Sequence, residues 1–435
     1  MQRALVLDNA PPLRVPLPFF LCVPLFAAAA CIVLLVTGEF ALQSRWTPAA
    51  LAMTHLFTLG VLGHAMCAGL FQILPVATGI HPVAPRITAH VVHVTLLAGT
   101  LSLVAGFLLP GYRSLFNVAA GLLAVAFLTL IAVVLTAMER RSAKPLRGAT
   151  VVLATTRYAL LALGVTVVFG VLLALRFGAG LTLSNDSVLL HGSWGLAGWV
   201  ALLLAAMSFQ LIPLFQATEL YPEWLTGRLA TGVTGLLAAL TLLVALPGLH
   251  GPGALPALFL LSIPWLIFGT TTLHRLLTRK RPRPDPTTWF WCMAMSCLVA
   301  GIVLFWLHGL GQGDYSVALG ALWLAGTGWS AITGMLYKII PFLLWFNAQR
   351  HLPCAHPAVP KVRQLINERV ACAHAALHGL GLLLLLGACL LSETLARPAA
   401  LVLLGSAVWQ ATFMLNALAL FAKARRALRA AGFRY

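Results

Sequence analysis

Charged residues are scarce in this chain of 435 residues. Asp, Glu, Lys and Arg together make up 9%, only 10 residues are acidic, and the mean hydropathy is +0.95. A water-soluble domain of this length could not reach these values without exposing most of its core. The composition therefore excludes a soluble globular protein and predicts an all-α polytopic membrane protein.

Other features are also missing. No Cys-x-x-Cys-His sequence occurs, so covalent attachment of a c-type haem is not expected. The cysteines are scattered, and we interpret those in the spans, Cys22 among them, as small apolar residues. The longest loop, about residues 349–365, is too short for a soluble domain that receives electrons. No removable signal is evident, so the first helix is expected to be retained.

Long apolar runs dominate what is present. Reading a span as a run of about 20 apolar residues predicts twelve transmembrane helices. Their approximate limits are 17–37, 49–79, 86–109, 113–138, 152–177, 186–217, 225–247, 254–274, 288–309, 315–347, 367–391 and 397–423.

One phrase occurs three times within these runs. Residues 71–75 read FQILP, residues 209–213 read FQLIP and residues 337–341 read YKIIP, at nearly equal intervals. Gly60, Gly198 and Gly326 stand at the same position before each phrase. Because the phrases fall on the second, sixth and tenth helices, the chain divides into three four-helix pseudo-repeats, at about 17–138, 152–274 and 288–423.

Lys and Arg collect in the loops on one side of the predicted bundle. These loops follow helices four, eight, ten and twelve. The positive-inside rule then places the protein in a bacterial inner membrane with both termini in the cytoplasm. This rule and the attraction of anionic lipid headgroups account for the net charge of +18, so no nucleic-acid partner is expected.

Histidines are the residues in the spans that can carry chemistry. Seven lie inside predicted spans: His55, His64, His90, His93, His191, His374 and His378. An ionisable side chain in hydrocarbon is costly and is by default a functional hypothesis, although a neutral imidazole can also simply bond to a neighbouring helix. Carboxylates, which proton-driven transporters usually carry at mid-membrane, are missing there. The pattern favours imidazole ligation of haem iron or copper.

Helical spacing sorts these residues into groups. His374 and His378 share a face, and His90 and His93 differ by about 60°, so each pair can present two ligands to one cavity. We predict His90 and His93 as metal ligands. His55 and His64 point to opposite sides of helix two, which would border two cavities. The predicted cofactor-binding residues are His55, His64, His191, His374 and His378.

The topology and the histidines on helices two and six give the chain a family resemblance. It resembles the catalytic subunit of the haem-copper oxidase superfamily, which includes nitric oxide reductases. Within that group it is most similar to the NnrS-type proteins, which contain haem and copper and are tied to nitric oxide metabolism. The sequence HLFTLG, which begins at His55, and the glycine-rich segment ending in proline carry the motif part of the resemblance.

The resemblance implies a b-type haem, copper as a further metal, a small diatomic ligand and a quinol or cytochrome electron donor. It also implies an oxidoreductase similar to nitric oxide reductase. In the oxidases the sixth, seventh and tenth helices enclose the haem and copper, but here helices seven and ten contain no histidine. The resemblance therefore transfers only His55, as a haem ligand, and His191, as a metal ligand.

Other functions stay open. In a metal-ion or small-solute transporter the membrane histidines would bind the cargo, and Pro75, Pro213 and Pro341 would fit broken helices. A sensor or assembly factor on the same scaffold is a third candidate. Tyr337 and Lys338 can form a proton route or place their polar ends in the interface. The loop cluster of His351, Cys354 and His356 lacks a paired half at zinc-site spacing, and we interpret it as an ordinary loop.

Overall fold

The computed structural model describes residues 7–140, 149–246, 254–350, 352 and 357–433. In that part of the chain 84% of the structure is helical and no strand occurs. The prediction of twelve membrane-length helices is confirmed, and the protein is a helical membrane protein. Helices 1 to 12 span Leu17–Leu42, Pro48–Thr78, Pro85–Leu108, Ser114–Glu139, Ala149–Ala179, Asp186–Gln216, Glu223–Ala245, Ala254–Leu277, Pro286–Gly309, Ser316–Gln349, Glu368–Leu390 and Glu393–Ala430.

Local sequence signals set several of the helix ends. Helix 2 begins at Pro48 because the Thr47 side chain caps it by accepting from the Ala50 amide. Helix 9 begins after Asp285, which forms a reciprocal capping box with Thr288. Helix 2 ends where Gly79 takes a left-handed conformation that costs glycine little.

The helices form a closed ring around three inner members. Each helix packs against the next along most of the chain, and helix 1 packs against helix 12, which closes the ring. Helices 2, 6 and 10 are the most buried of the twelve, and helix 2 contacts both of the others. These are the helices that carry the repeated phrase.

Each inner helix contains a π-helical segment at an equivalent place. The segments are Leu56–Gly63, Trp194–Val200 and Ala321–Trp329, and each contains the glycine that precedes the repeated phrase. A π-helical segment adds a residue to the turn and leaves backbone carbonyls without their usual partners, and such segments are frequent at functional sites. This shared feature gives the predicted pseudo-repeats a local structural counterpart, although their boundaries stay a prediction.

The three glycines let the inner helices approach their outer neighbours closely. A Cβ added at Gly60 would lie 2.6 Å from Phe26 Cβ on helix 1, and one at Gly198 would lie 2.7 Å from Ala162 Cβ on helix 5. At Gly326 it would lie 2.7 Å from Cys297 Sγ on helix 9. No larger residue fits at these positions without displacing the neighbouring helix.

An apolar cavity of about 60 Å³ lies where the three inner helices meet. Corresponding positions of the three repeated phrases line this cavity. Two residues before the aromatic residue that begins each phrase stand Gly69, Met207 and Met335. Two residues after it stand Ile73, Leu211 and Ile339. A cavity of this size has room for a few molecules as small as water.

Candidate metal centre

Three potential metal ligands from three successive helices converge in the first quarter of the bundle. Cys22 lies on helix 1, His64 on helix 2 and His93 on helix 3. One ligand atom of each, a sulfur or a ring nitrogen, lies within 4.8 Å of the other two. Each helix supplies one donor. The group is therefore created by the packing of the three helices and not by a local sequence motif.

The hydrogen bonding of His64 leaves one nitrogen for a ligand. Its Nδ1 lies 2.9 Å from the carbonyl oxygen of Leu59, one turn back in the π-helical segment. A carbonyl only accepts, so this contact places the proton on Nδ1 and the lone pair on Nε2. Nε2 is buried and has no hydrogen-bond partner among the described residues, and the same is true of Nδ1 of His93. Each of the two imidazoles therefore has a nitrogen that could bind a metal ion.

Aromatic rings enclose the metal-ligand group. Phe19 meets His93 edge-on with ring centroids 4.8 Å apart, and Phe26 lies 5.0 Å from His64. Phe26 reaches this position because Gly60 has no side chain to oppose it. His64 is fully buried among these rings, whereas His93 is half-buried.

The structure separates His90 from His93. His93 joins His64 and Cys22, whereas His90 is exposed on the surface of the bundle and takes no part in the cluster. Cys22, which the sequence analysis interpreted as an apolar residue, supplies the third donor. No motif marks Cys22 in the sequence, and only the packing of helix 1 against helices 2 and 3 reveals its position.

His55 lies on helix 2 against helix 3, and His191 lies on helix 6 against helix 5. The two imidazoles are near enough to influence each other electrostatically. His55 Nδ1 lies 2.8 Å from the Leu51 carbonyl oxygen, and His191 Nδ1 lies 3.0 Å from the Thr166 carbonyl oxygen. As at His64, these contacts fix the tautomer and leave Nε2 as the free ligand atom.

The neighbours of His55 and His191 are small or aromatic. The His55 ring stacks on Phe107 with centroids 5.4 Å apart. A Cβ at Gly170 would lie 3.0 Å from Cε1 of His191, so this glycine allows His191 to pack against helix 5. His55 and His64 therefore lie in different surroundings on one helix.

His374 and His378 form a third group, and both of their rings are fully hydrogen-bonded. Tyr337 and Ser406 contact the two nitrogens of His374, and Ser406 and Ser330 contact those of His378. All four nitrogens thus have hydroxyl partners. A cofactor bound here would have to displace at least one of these hydrogen bonds, so cofactor binding by this pair stays a prediction.

Other predicted features can also be located. Helices 2, 6 and 10 continue through Pro75, Pro213 and Pro341, which lie inside helical segments. The loop residues His351, Cys354 and His356 lie outside the described residues.

Comparisons with known proteins leave the family open. No protein-family model matches the chain, and no curated protein matches it significantly. The resemblance to haem-copper oxidases and NnrS-type proteins therefore stays a proposal, and the functional conclusions below depend on the geometry of the chain.

Proposed function

We propose that this membrane protein binds a metal ion through Cys22, His64 and His93, and that the ion is copper. The observation that carries the proposal is the convergence of three donors from three helices, two of which have buried nitrogens without partners. Leaving two buried imidazole nitrogens unpaired is costly. A metal ion would satisfy both at once.

The donor set and its surroundings favour copper in the Cu(I) state. A thiolate with two imidazoles is a soft to borderline ligand set, which suits copper or zinc and not magnesium or calcium. All 10 carboxylates lie in loops or near helix ends, so none can compensate charge beside the cluster. Cu(I) with one thiolate and two neutral imidazoles has no net charge, whereas Zn(II) would leave one positive charge in an apolar interior.

We further propose that the protein is a haem-copper protein of the oxidase-like type. His55 and His191 are the candidate haem ligands, because a backbone carbonyl fixes Nδ1 of each and leaves Nε2 free. A b-type haem held there would supply redox chemistry or bind nitric oxide or a similar diatomic. Electrons would come from a quinol or cytochrome partner.

We also propose a bacterial inner membrane and cytoplasmic termini. The support is the basic cluster at the end of helix 8 and in the loop to helix 9, on the side where the other basic loops lie: Arg275, Arg279, Lys280 and Arg281.

Metal analysis of purified variants tests the copper site. The wild-type protein, expressed with adequate copper and haem, should retain stoichiometric copper through dialysis. Cys22→Ser, His64→Ala and His93→Ala should each lower copper affinity by at least about tenfold, because each removes a direct ligand. His90→Ala is the matched control, since His90 is exposed on the same helix as His93 and should leave copper binding unchanged.

A transporter is the alternative function. Membrane vesicles that contain the protein would then accumulate copper in a manner that depends on His64. Retained copper without uptake supports a resident metal, whereas uptake without retained copper supports the transporter.

A further inference from the structure

A buried series of alternating hydroxyl and imidazole groups connects helices 10, 11 and 12. The Tyr337 hydroxyl lies 2.8 Å from His374 Nδ1, and His374 Nε2 lies 2.8 Å from Ser406 Oγ. Ser406 Oγ also lies 2.9 Å from His378 Nδ1, and His378 Nε2 lies 2.9 Å from Ser330 Oγ. Four hydrogen bonds in series therefore join five side chains.

The middle three of these side chains are sealed from water, and the two at the ends are buried. His374, His378, Ser330 and Ser406 are 0% exposed, and Tyr337 is 3% exposed. Aromatic rings hold the imidazoles in place: Trp409 stacks on His374 with an interplanar angle of 9°, and Phe290 meets both rings edge-on. Because water cannot compete, each group depends on its neighbour in the series for its hydrogen bonds.

The partners of these imidazoles differ from those of the other membrane histidines. Backbone carbonyls hold Nδ1 of His55, His64 and His191, and a carbonyl can only accept, so each of these rings is fixed in one tautomer. A hydroxyl both donates and accepts. His374 and His378 have hydroxyls on both nitrogens, so the two rings can change tautomer together and keep all four hydrogen bonds of the series. Only the 3.4 Å bond from Ser330 to the Ala325 carbonyl is lost when Ser330 donates to His378. This freedom is the condition for a proton to pass through a ring.

The two ends of the series lie in different environments. At the Tyr337 end, the next residue, Lys338, forms a 2.6 Å ion pair with Asp285, at the end of the bundle that we predict to be cytoplasmic. At the other end, Ser330 Oγ lies 3.4 Å from the Ala325 carbonyl oxygen in the π-helical segment of helix 10. Trp329, whose ring packs 4.6 Å from His378, has a buried Nε1 without a partner among the described residues.

We propose that Tyr337, His374, Ser406, His378 and Ser330 form a proton relay between the Asp285 end of the bundle and the interior at Ser330. In one passage Tyr337 takes a proton from water, and Ser330 releases a proton to a water molecule in the interior. Each group in between accepts one proton and gives up another. Both imidazoles change tautomer, and no net charge stays in the series. The relay does not depend on the metal proposal.

Hydrogen–deuterium exchange of the imidazole N–H groups tests the relay. The full-length protein, labelled with ¹⁵N-histidine and placed in lipid bilayers, is transferred to D₂O and followed by NMR. His374→Asn and His378→Asn assign the two signals. In the wild type both ring protons should exchange much faster than the buried backbone amides of helix 11, because a relay needs no local unfolding.

Breaking the series at any point should slow both rings. Tyr337→Phe removes the entry hydroxyl, Ser406→Ala removes the middle link and Ser330→Ala removes the exit. Each should slow exchange of both rings by at least about tenfold, since exchange must then await local opening. Ser208→Ala is the control, because Ser208 bonds only the Leu204 carbonyl of its own helix and should change nothing.

Two results would overturn the relay. In one, the wild-type ring protons exchange no faster than the neighbouring amides, which makes the series a static hydrogen-bond network. In the other, exchange of His378 stays fast in both Tyr337→Phe and Ser406→Ala. If Ser406→Ala fails to fold, as judged by its thermal unfolding, Tyr337→Phe alone decides, because it keeps the ring and removes only the hydroxyl. Fast exchange of both rings in Ser330→Ala would contradict release of the proton at Ser330.

Discussion

The imidazoles of His64 and His93 meet edge to face, with ring centroids 5.7 Å apart and an interplanar angle of 90°. Each ring has a buried nitrogen without a partner among the described residues. Two neutral imidazoles gain little from facing each other in this way, and neither of the two buried nitrogens has a hydroxyl or carbonyl partner among the described residues. The proposed metal ion would take the place of such partners. The same protein provides such partners on both nitrogens of His374 and His378.

The close contact between Gly60 and Phe26 should be essential to the metal centre. Gly60→Ala would place a Cβ against the base of the Phe26 side chain, so helix 1 or the ring must move. We expect a loss of about 1–3 kcal/mol in the free energy of unfolding, with weaker copper binding because Phe26 packs on His64. Thermal unfolding and copper titration measure the two effects.

Gly69→Ala is the matched control for this prediction. Gly69 lies on the same helix, and a Cβ there would meet no atom within 4 Å. Alanine should therefore be neutral or slightly stabilising, by up to about 1 kcal/mol. Equal effects of the two substitutions would show that the contact between helices 1 and 2 does not matter.

If the protein binds a haem through His55 and His191, both residues should be required for haem binding. His55→Ala or His191→Ala should abolish or shift the Soret band of the purified protein, because each would remove an axial ligand. His274→Ala should leave the spectrum unchanged, since His274 is exposed near the end of helix 8. A Soret band that survives both substitutions unaltered would place the haem elsewhere.

The ion pair between Asp285 and Lys338 should make stability depend on pH. Burial alone would raise the pKa of Asp285, but the Lys338 ammonium and the hydrogen bonds from Lys338 and Thr288 outweigh burial and hold the pKa below its ordinary 3.8. A carboxyl with a lowered folded-state pKa contributes stability above pH 3.8, and this contribution is lost as the pH falls through the folded-state value.

Asp285→Asn should remove this dependence while keeping the helix cap. The two side chains are 17% and 23% exposed, so breaking the pair should cost about 1–3 kcal/mol at neutral pH. Glu219→Gln is the control, because Glu219 is 68% exposed in its pair with Arg275 and should contribute little. Thermal unfolding of Asp285→Asn and of the wild type is measured between neutral pH and about pH 3. A parallel loss of stability in the two proteins would show that the ion pair does not cause the pH dependence.

The twelve helices could be predicted from the sequence because each is a continuous apolar run of sufficient length. The repeated phrase also identified helices 2, 6 and 10, which the structure places at the centre. The spacing of His374 and His378 correctly placed both rings on one face, where they share Ser406.

The metal-ligand group could not be predicted, because its members come from three helices and no short motif joins them. Angles calculated for an α-helix do not apply across a π-helical segment, although His55 and His64 do lie in different surroundings. The segment Leu56–Gly63 lies between His55 and His64, so a rotation of 100° per residue does not describe their relative direction. His90 and His93 lie on neighbouring faces of helix 3. Which of the two meets other potential ligands depends on where helices 1 and 2 pack against helix 3.

X-ray absorption at the copper edge of the purified wild-type protein tests the central claim most directly. A site formed by Cys22, His64 and His93 predicts bound copper with one sulfur scatterer and two imidazole nitrogens. The sulfur contribution should disappear in Cys22→Ser and persist in His90→Ala. A protein without copper after expression with ample copper, or copper surrounded only by nitrogen and oxygen, would contradict the account.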